Sequence, residues 1–376
     1  MSSVYPEIDP DGLLEYSVVY TDRAVNHMSQ SFQRVMRDIS ATLKEVYGAR
    51  AVAVVPGSGT FGMEAVARQF AINKKCLVIR NGWFSYRWTQ IFEMGNIPSK
   101  EIVCSARQTG KENTAPFMPV PIDELVAVIR DEKPDLVFAP HVETSSGMLL
   151  PDEYVKAVGH AIREVGGLFV LDCIASGAIW VDMLQADVDV LISAPQKGWS
   201  GSPCAALVMM SERARKMIDD TTSNSFACDL AKWLWIMETY EKGGHAYHAT
   251  MPTDGLVTFS HMMNEMKQIG FDTVYHRQKE LGDRVRSLLA MKGFKSVAAD
   301  GYGAPGVVVC YTDDPGIQNG SKFAELGLQI AAGVPLRCGE PDGFSTFRLG
   351  LFGLDKLNNI DAAVVTLEKA LDQVLA

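Results

Sequence analysis

The sequence predicts an α/β protein, with a mostly parallel sheet covered by helices on both faces and a smaller α/β lobe packed against it. Three observations carry this. Short β-prone apolar runs alternate with helical periods through the first part of the chain, and strands that alternate with helices build parallel sheets. The length of 376 residues exceeds one module of about 150 residues and suits one large domain plus a smaller one. From about Gly255 the texture changes to a single long helical pattern, Leu256–Met291, after which strand signals resume.

The elements follow in order. From Met28 to Tyr47 the residues Met28, Phe32, Val35, Met36, Ile39, Leu43 and Val46 recur at helical spacing, with Ser29 or Ser31 as N-cap and Gly48 as stop. Ala51–Val55 is a strand that runs into Pro56-Gly57-Ser58-Gly59-Thr60, and Met63, Val66, Ala67 and Phe70 resume the helical period. Further strands are expected at Leu77–Arg80, Leu136–Pro140, Leu168–Leu171, Val188–Ser193 and Ala205–Met209, with helices such as Ile122–Arg130 and Tyr154–Val165 between several of them. The last third contributes Gly306–Cys310, a turn at Gly333–Pro335, Ser345–Leu349 and a final helix Asp361–Val374. The expected division is an N-terminal segment 1–25, a large domain 26–255 and a small domain 256–376.

Composition excludes several functions. Lys and Arg number 35 against 45 Asp and Glu, a net charge of −10, and no basic cluster offers contacts to phosphate backbones, so nucleic acid is not an expected partner. The most apolar stretch, Gly167–Val181, is interrupted by Asp172 and falls short of the roughly 20 residues of a membrane span. The opening MSSVYPEIDPDG is acidic and unlike a secretory signal. The cysteines number 7 and form no C-x-x-C pair, which suggests neither a disulfide framework nor zinc; a reducing cytoplasm is expected.

In open α/β sheets, ligands gather at the carboxyl ends of the strands. Gly57-Ser58-Gly59-Thr60 opens a helix after the first strand, and reads either as a phosphate cup or as a plain turn capped by Ser58 or Thr60. Asp172 follows Leu168-Phe169-Val170-Leu171, as a partly buried carboxylate in need of a partner or as a turn aspartate. Lys197 lies in Ala194-Pro195-Gln196-Lys197-Gly198-Trp199-Ser200-Gly201, as a desolvated nucleophile or a solvated loop lysine. Together, a cup, a strand-end aspartate and a lysine 25 residues further on make up the requirements of pyridoxal 5'-phosphate: phosphate held, pyridine nitrogen kept protonated, imine formed.

Seven ordered blocks turn this pattern into a resemblance: Gly57-Ser58-Gly59-Thr60 with Met63-Glu64-Ala65, Asn81-Gly82-Trp83-Phe84-Ser85-Tyr86-Arg87, His141-Val142-Glu143-Thr144-Ser145-Ser146-Gly147, Asp172-Cys173-Ile174-Ala175-Ser176, Ser193-Ala194-Pro195-Gln196-Lys197, Tyr247-His248-Ala249-Thr250-Met251-Pro252 and Phe347-Arg348-Leu349-Gly350. From about Asn26 onward the chain resembles the class V aminotransferases. These are pyridoxal-phosphate-dependent transferases of fold type I, and the group contains alanine-glyoxylate, serine-glyoxylate and 2-aminoethylphosphonate-pyruvate aminotransferases. The resemblance implies a seven-stranded, mostly parallel sheet, a Schiff base on Lys197, and Asp172 on the pyridine nitrogen. It implies Phe84 stacked on the ring, Thr144 near the phenolic oxygen, and Ser58, Gly59, Thr60 and Gln196 around the phosphate. It further implies a homodimer in which Tyr247 and Thr250 reach the neighbouring subunit's phosphate, and Arg348 as the anchor of the substrate carboxylate. Taken singly, Phe84 reads equally as core, Arg348 as a surface ion pair and Tyr247 as a packing residue. His141 and His248 are expected to be structural.

The expected reaction moves an amino group from a small amino acid, such as alanine or serine, to a 2-oxo acid such as glyoxylate or pyruvate. Alternatives are a 2-aminoethylphosphonate-pyruvate transaminase and a lyase of the cysteine desulfurase type that uses Cys338. Against the lyase, the position before the lysine is Gln196 and the stacking position is Phe84, where such enzymes carry histidine. One departure concerns Glu15–Arg23, which lacks the Gly-Pro pair that lines the family's substrate pocket; His27–Phe32 matches the family only loosely.

Overall fold

A computed structural model describes residues 6–376. Its central sheet contains β1 (Ala51–Pro56), β2 (Lys75–Arg80), β3 (Lys100–Ser105), β4 (Leu136–Pro140), β5 (Leu168–Asp172), β6 (Val190–Ser193) and β7 (Ala205–Met210). Their order across the sheet is β1-β7-β6-β5-β4-β2-β3. Only β7 runs against its neighbours, so the sheet is mostly parallel, as the sequence predicts. Because β7 reverses direction between β1 and β6, those two strands point the same way. The carboxyl end of β1 therefore shares one edge of the sheet with the ends of β5 and β6.

The residues of β4, β5, β6 and β7 are all buried, the signature of strands covered on both faces. Helices α1 (Gln30–Tyr47), α2 (Gly59–Phe70), α3 (Trp83–Gly95), α4 (Ile122–Glu132), α5 (Asp152–Glu164) and α6 (Leu230–Glu241) supply most of the cover. Helix α1 begins as its sequence implies: the Ser29 side chain accepts the Ser31 N–H, and Gly48 closes it at φ 65°. Three fully buried tryptophans, Trp88, Trp199 and Trp233, anchor the core.

Two expectations change. β3 has no counterpart in the sequence reading, because this edge strand exposes Lys100 and Glu101 and lacks an apolar run. The long pattern Leu256–Met291 is two helices, α7 (Thr253–Ile269) and α8 (Phe271–Met291), broken at Gly270 with φ 94°. That is a backbone angle glycine adopts at little cost. Beyond α8, β8 (Val307–Tyr311), β9 (Ala331–Ala332) and β10 (Thr346–Gly350) form a three-stranded antiparallel sheet in the order β8-β10-β9, and α9 (Ile360–Leu375) ends the chain.

Candidate active site

At the shared edge, the first groups come from the turn after β1. Helix α2 starts at Gly59, and its N-cap Ser58 makes no side-chain cap bond, so its hydroxyl is not used within the helix. A Cβ on Gly59 would stand 2.5 Å from Ile174 Cδ1; the turn and the segment after β5 approach closely because glycine is there. Free N–H groups and the positive helix end make this turn receptive to an anion.

Asp172 ends β5 and is 6% exposed. The one hydrogen bond to its carboxylate among the described residues is from the Ile174 N–H to Oδ1, at 2.9 Å. Burial pushes its pKa up to about 7, with Arg87 and Lys197 pulling the other way. A buried carboxylate with one oxygen unserved calls for a cationic or N–H partner.

The lysine loop leaves β6 and folds back on itself, with the Gly201 N–H bonded to the Pro195 carbonyl at 2.9 Å and the Ser200 N–H to the Lys197 carbonyl at 3.1 Å. Trp199 anchors it: its ring packs 4.9 Å from Trp180 and 6.1 Å from Phe259. A Cβ on Gly198 would fall 2.0 Å from the Gly177 carbonyl oxygen, so the loop lies directly on the segment after Asp172. Burial, and next the charge of Arg348, pull the Lys197 amine below its ordinary pKa, while Asp172 opposes them. Its Nζ sits 5.4 Å from the Phe352 ring centroid. A lysine in that setting is suited to act as an amine nucleophile.

These groups converge on a cavity of about 170 Å³ lined by Ser58, Gly59, Thr60, Phe84, Thr144, Asp172, Gln196 and Lys197. Phe84 lies in the first turn of α3, with the guanidinium carbons of Arg87 and Arg348 at 5.1 and 5.7 Å from its ring centroid. Arg348, on β10, donates Nε–H to the Ala332 carbonyl at 2.8 Å and has no carboxylate within ion-pair distance among the described residues. That excludes the surface ion-pair reading.

Tyr247 and Thr250 stand apart from this cavity. Their hydroxyls are 3.2 Å from each other, and Tyr247 packs 5.6 Å from His27. His141 is fully buried with Nδ1 2.8 Å from the Ser176 hydroxyl, and burial lowers its pKa to about 4; His248 meets the Phe226 carbonyl through Nε2 at 2.8 Å. Both suit structural roles. Cys338 lies outside the cavity, with its thiol 3.4 Å from the Arg80 carbonyl and 3.6 Å from that of Leu336. Burial pushes it up to about 12, which leaves almost no thiolate.

Arg87 and Glu143 are the residues that sequence reasoning missed. Arg87 lines the cavity and donates to the Thr60 hydroxyl at 2.8 Å; that leaves the Thr60 proton free to point elsewhere. Glu143 is fully buried behind Phe84 and Thr144. Both stand inside recognised motifs, and only their charge in an otherwise buried setting signalled a role.

A mostly parallel α/β sheet whose strand ends bring a helix N-terminus, a buried aspartate and a desolvated lysine to one cavity is an arrangement suited to chemistry at an amine. The chain belongs to the class V aminotransferase family, whose model matches residues 13–308. It is 25% identical to the small subunit of a soluble hydrogenase from Synechococcus sp. (strain PCC 6716), over 93% of this chain and 88% of that one. It is 26% identical to a 2-aminoethylphosphonate-pyruvate transaminase from Bacillus cereus (strain G9842), over 88% and 86%. The crystal structure of an alanine-glyoxylate aminotransferase from Nostoc sp. shares the fold with a TM-score of 0.79, at 23% identity, over 94% and 89% of the two chains. The chain is an aminotransferase of this family. No described helix is long and apolar enough to cross a membrane.

Proposed function

We propose that this aminotransferase holds pyridoxal 5'-phosphate in the cavity between α2, α3 and the lysine loop. The observation that carries the reading is Asp172, buried, raised to about 7 and served by a single N–H. A protonated pyridine nitrogen would supply the missing partner and draw the carboxyl back to its ionised form. The group, when bound, serves as an electron sink for the bond that breaks at the substrate's α-carbon. Lys197 would be its attachment point and the base that moves the proton at the substrate's α-carbon. Of the residues that line the cavity, Phe84 would cover one ring face, Thr144 would meet the phenolic oxygen, and Ser58, Gly59, Thr60 and Gln196 would surround the phosphate. Gln196 Oε1, buried and without a partner among the described residues, has its hydrogen-bonding capacity unused there.

Arg348 orients the substrate carboxylate; its terminal nitrogens make no hydrogen bond among the described residues. The donor is a small amino acid such as alanine or serine, and the acceptor glyoxylate or pyruvate. Similarity to a 2-aminoethylphosphonate-pyruvate transaminase supports the alternative reading, in which 2-aminoethylphosphonate is the donor and pyruvate the acceptor. We assign the cavity to a cofactor-binding domain, 26–255, and the Arg348 side to a small domain, 256–376. The working unit is a cytoplasmic homodimer, in which Tyr247 and Thr250, unattached to their own chain's cavity, complete the partner's phosphate site.

Borohydride reduction of the purified, reconstituted protein followed by peptide mapping tests the reading. A pyridoxyl label on Lys197 is expected, and a label on any other lysine, or none, sinks it. A donor screen against glyoxylate and pyruvate then identifies the substrates.

A further inference from the structure

Glu143 stands at the start of a tight hairpin, Val142–Glu143 against Met148–Leu149, whose connecting turn carries Thr144. Its carboxylate is fully buried and has no cation within ion-pair distance among the described residues. Five donors serve it instead. Oε1 accepts the Phe84 N–H at 3.2 Å, the Ser145 N–H at 3.1 Å and the Ser145 hydroxyl at 2.7 Å; Oε2 accepts the Ser85 N–H at 2.9 Å and the Ser85 hydroxyl at 2.7 Å. The contact is close packed: a Cβ on Gly82 would lie 2.0 Å from Ser145 Oγ and 2.7 Å from Glu143 Cγ.

We propose that Glu143 is a positioning residue that clamps the first turn of α3, with Phe84, to the hairpin that presents Thr144, and so fixes the width and orientation of the cofactor cavity. Both ends of the clamp are backbone. On one side are the N–H groups of Phe84 and Ser85, at the positive end of a 13-residue helix where a carboxylate is favoured. On the other side is the N–H of Ser145, the residue after Thr144.

Only a carboxylate satisfies this arrangement. Each oxygen accepts at least one backbone N–H, and a backbone N–H cannot reverse into an acceptor. A glutamine would place its NH₂ against a backbone N–H whichever way it turned, and an unmet donor in a dry site is costly. Glu143 also faces charge across the cavity: its carboxylate supports the charged form of Arg348 and disfavours that of Asp172. The inference rests on the cavity being the pyridoxal phosphate site, so its test separates the two ideas.

The test compares Glu143→Gln with wild type by three measurements. The first is amide exchange of the cofactor-free protein. Exchange at residues 83–85 is expected to quicken at least about tenfold, while Trp88–Gly95 stays protected. The second is the dissociation constant for pyridoxal phosphate, expected to rise at least about tenfold. The third is the visible circular dichroism per bound cofactor, expected to fall below about half, because a ring no longer gripped between Phe84 and Thr144 loses its fixed orientation. A mere loss of global stability would leave that third quantity unchanged. Affinity and dichroism both within twofold of wild type would overturn the proposal. If Glu143→Gln does not fold, Ser85→Ala and Ser145→Ala, each removing one hydroxyl donor, are expected to move the same measurements by at least about twofold; no change in either overturns it. If wild type itself binds no pyridoxal phosphate, the functional reading fails, and the exchange measurement alone decides the clamp.

Discussion

Replacing Arg348 by lysine keeps the positive charge and removes the planar fork. Arg348 is held from behind, because its Nε is committed to the Ala332 carbonyl, and its head lies 5.7 Å from the centre of the Phe84 ring. That leaves two parallel donors for a carboxylate in a fixed direction, whereas a lysine offers one ammonium without the rear tether. Losing one charge-assisted bond costs about 1.5–3 kcal/mol, which is roughly 10- to 150-fold in kcat/KM. Because the fork sets orientation as well as affinity, the loss falls on the transition state and on ground-state binding together. Stopped-flow absorbance of the cofactor separates the two half-reactions. With alanine or serine as donor, both should slow in Arg348→Lys. With 2-aminoethylphosphonate, which has no α-carboxylate, the donor half should be spared and only the acceptor half should suffer. Wild-type rates in both halves with a carboxylate-bearing donor would place the anchor elsewhere, with the segment around Tyr20 and Arg23 the next to test.

Asp172→Asn should retain the cofactor and lose most of the turnover, because an amide cannot keep the pyridine nitrogen protonated; turnover within a few-fold of wild type would return Asp172 to a turn role. The same variant predicts a pH effect in the cofactor-free protein. The folded-state pKa is raised from 3.8 to about 7, so the protonated carboxyl favours the folded state at low pH and this advantage is lost as pH climbs from about 4 through about 7. The Tm of wild type minus that of Asp172→Asn should fall across that window and be level above it; a flat difference would mean the carboxyl is not desolvated. Gly198→Ala, whose Cβ would meet the Gly177 carbonyl at 2.0 Å, should cost about 1–3 kcal/mol and weaken cofactor retention, measured by urea unfolding and dialysis; wild-type retention would show that the loop has room to shift. Mixing Lys197→Ala chains with chains carrying Tyr247→Phe and Thr250→Ala should restore activity in hybrid dimers, and no recovery in dimers proven mixed would argue against shared sites.

Much of this molecule was legible because its strands are buried on both faces. β1, β2, β4, β5, β6 and β7 each announce themselves as apolar runs, and the polar residues that follow three of them, Ser58, Asp172 and Lys197, could be read as a set. β3 was not legible, since an edge strand needs an apolar pattern on one face only and Lys100 and Glu101 take the solvent side. Nor was the break at Gly270, because apolar spacing continues on both sides of it and only the backbone angle reveals the bend. Arg87 and Glu143 escaped for a different reason. Apart from Ser145, beside Glu143 in the chain, their partners are a hydroxyl on another helix and donors of Phe84 and Ser85 that lie 59 and 58 positions away, and no local pattern encodes such distant neighbours.

The reversal at β7 has a consequence for how the chain acquires its shape during synthesis. β1 pairs with no strand of the sheet other than β7, in a register that joins Ala51 to Met210 and Pro56 to Ala205. When residues 51–56 leave the ribosome, their hydrogen-bonding partner is some 150 residues from being made, and the loop to be closed is correspondingly long. Until then Ala-Val-Ala-Val-Val-Pro is an apolar strand with both edges open, the kind of segment that pairs with the wrong chain. The turn that follows it is held at the sheet edge by this pairing, which can form only once residues 205–210 have been made. Completion of the proposed cofactor cavity is therefore expected late, and a chain stalled before residue 205 should be bound by chaperones and should not retain pyridoxal phosphate.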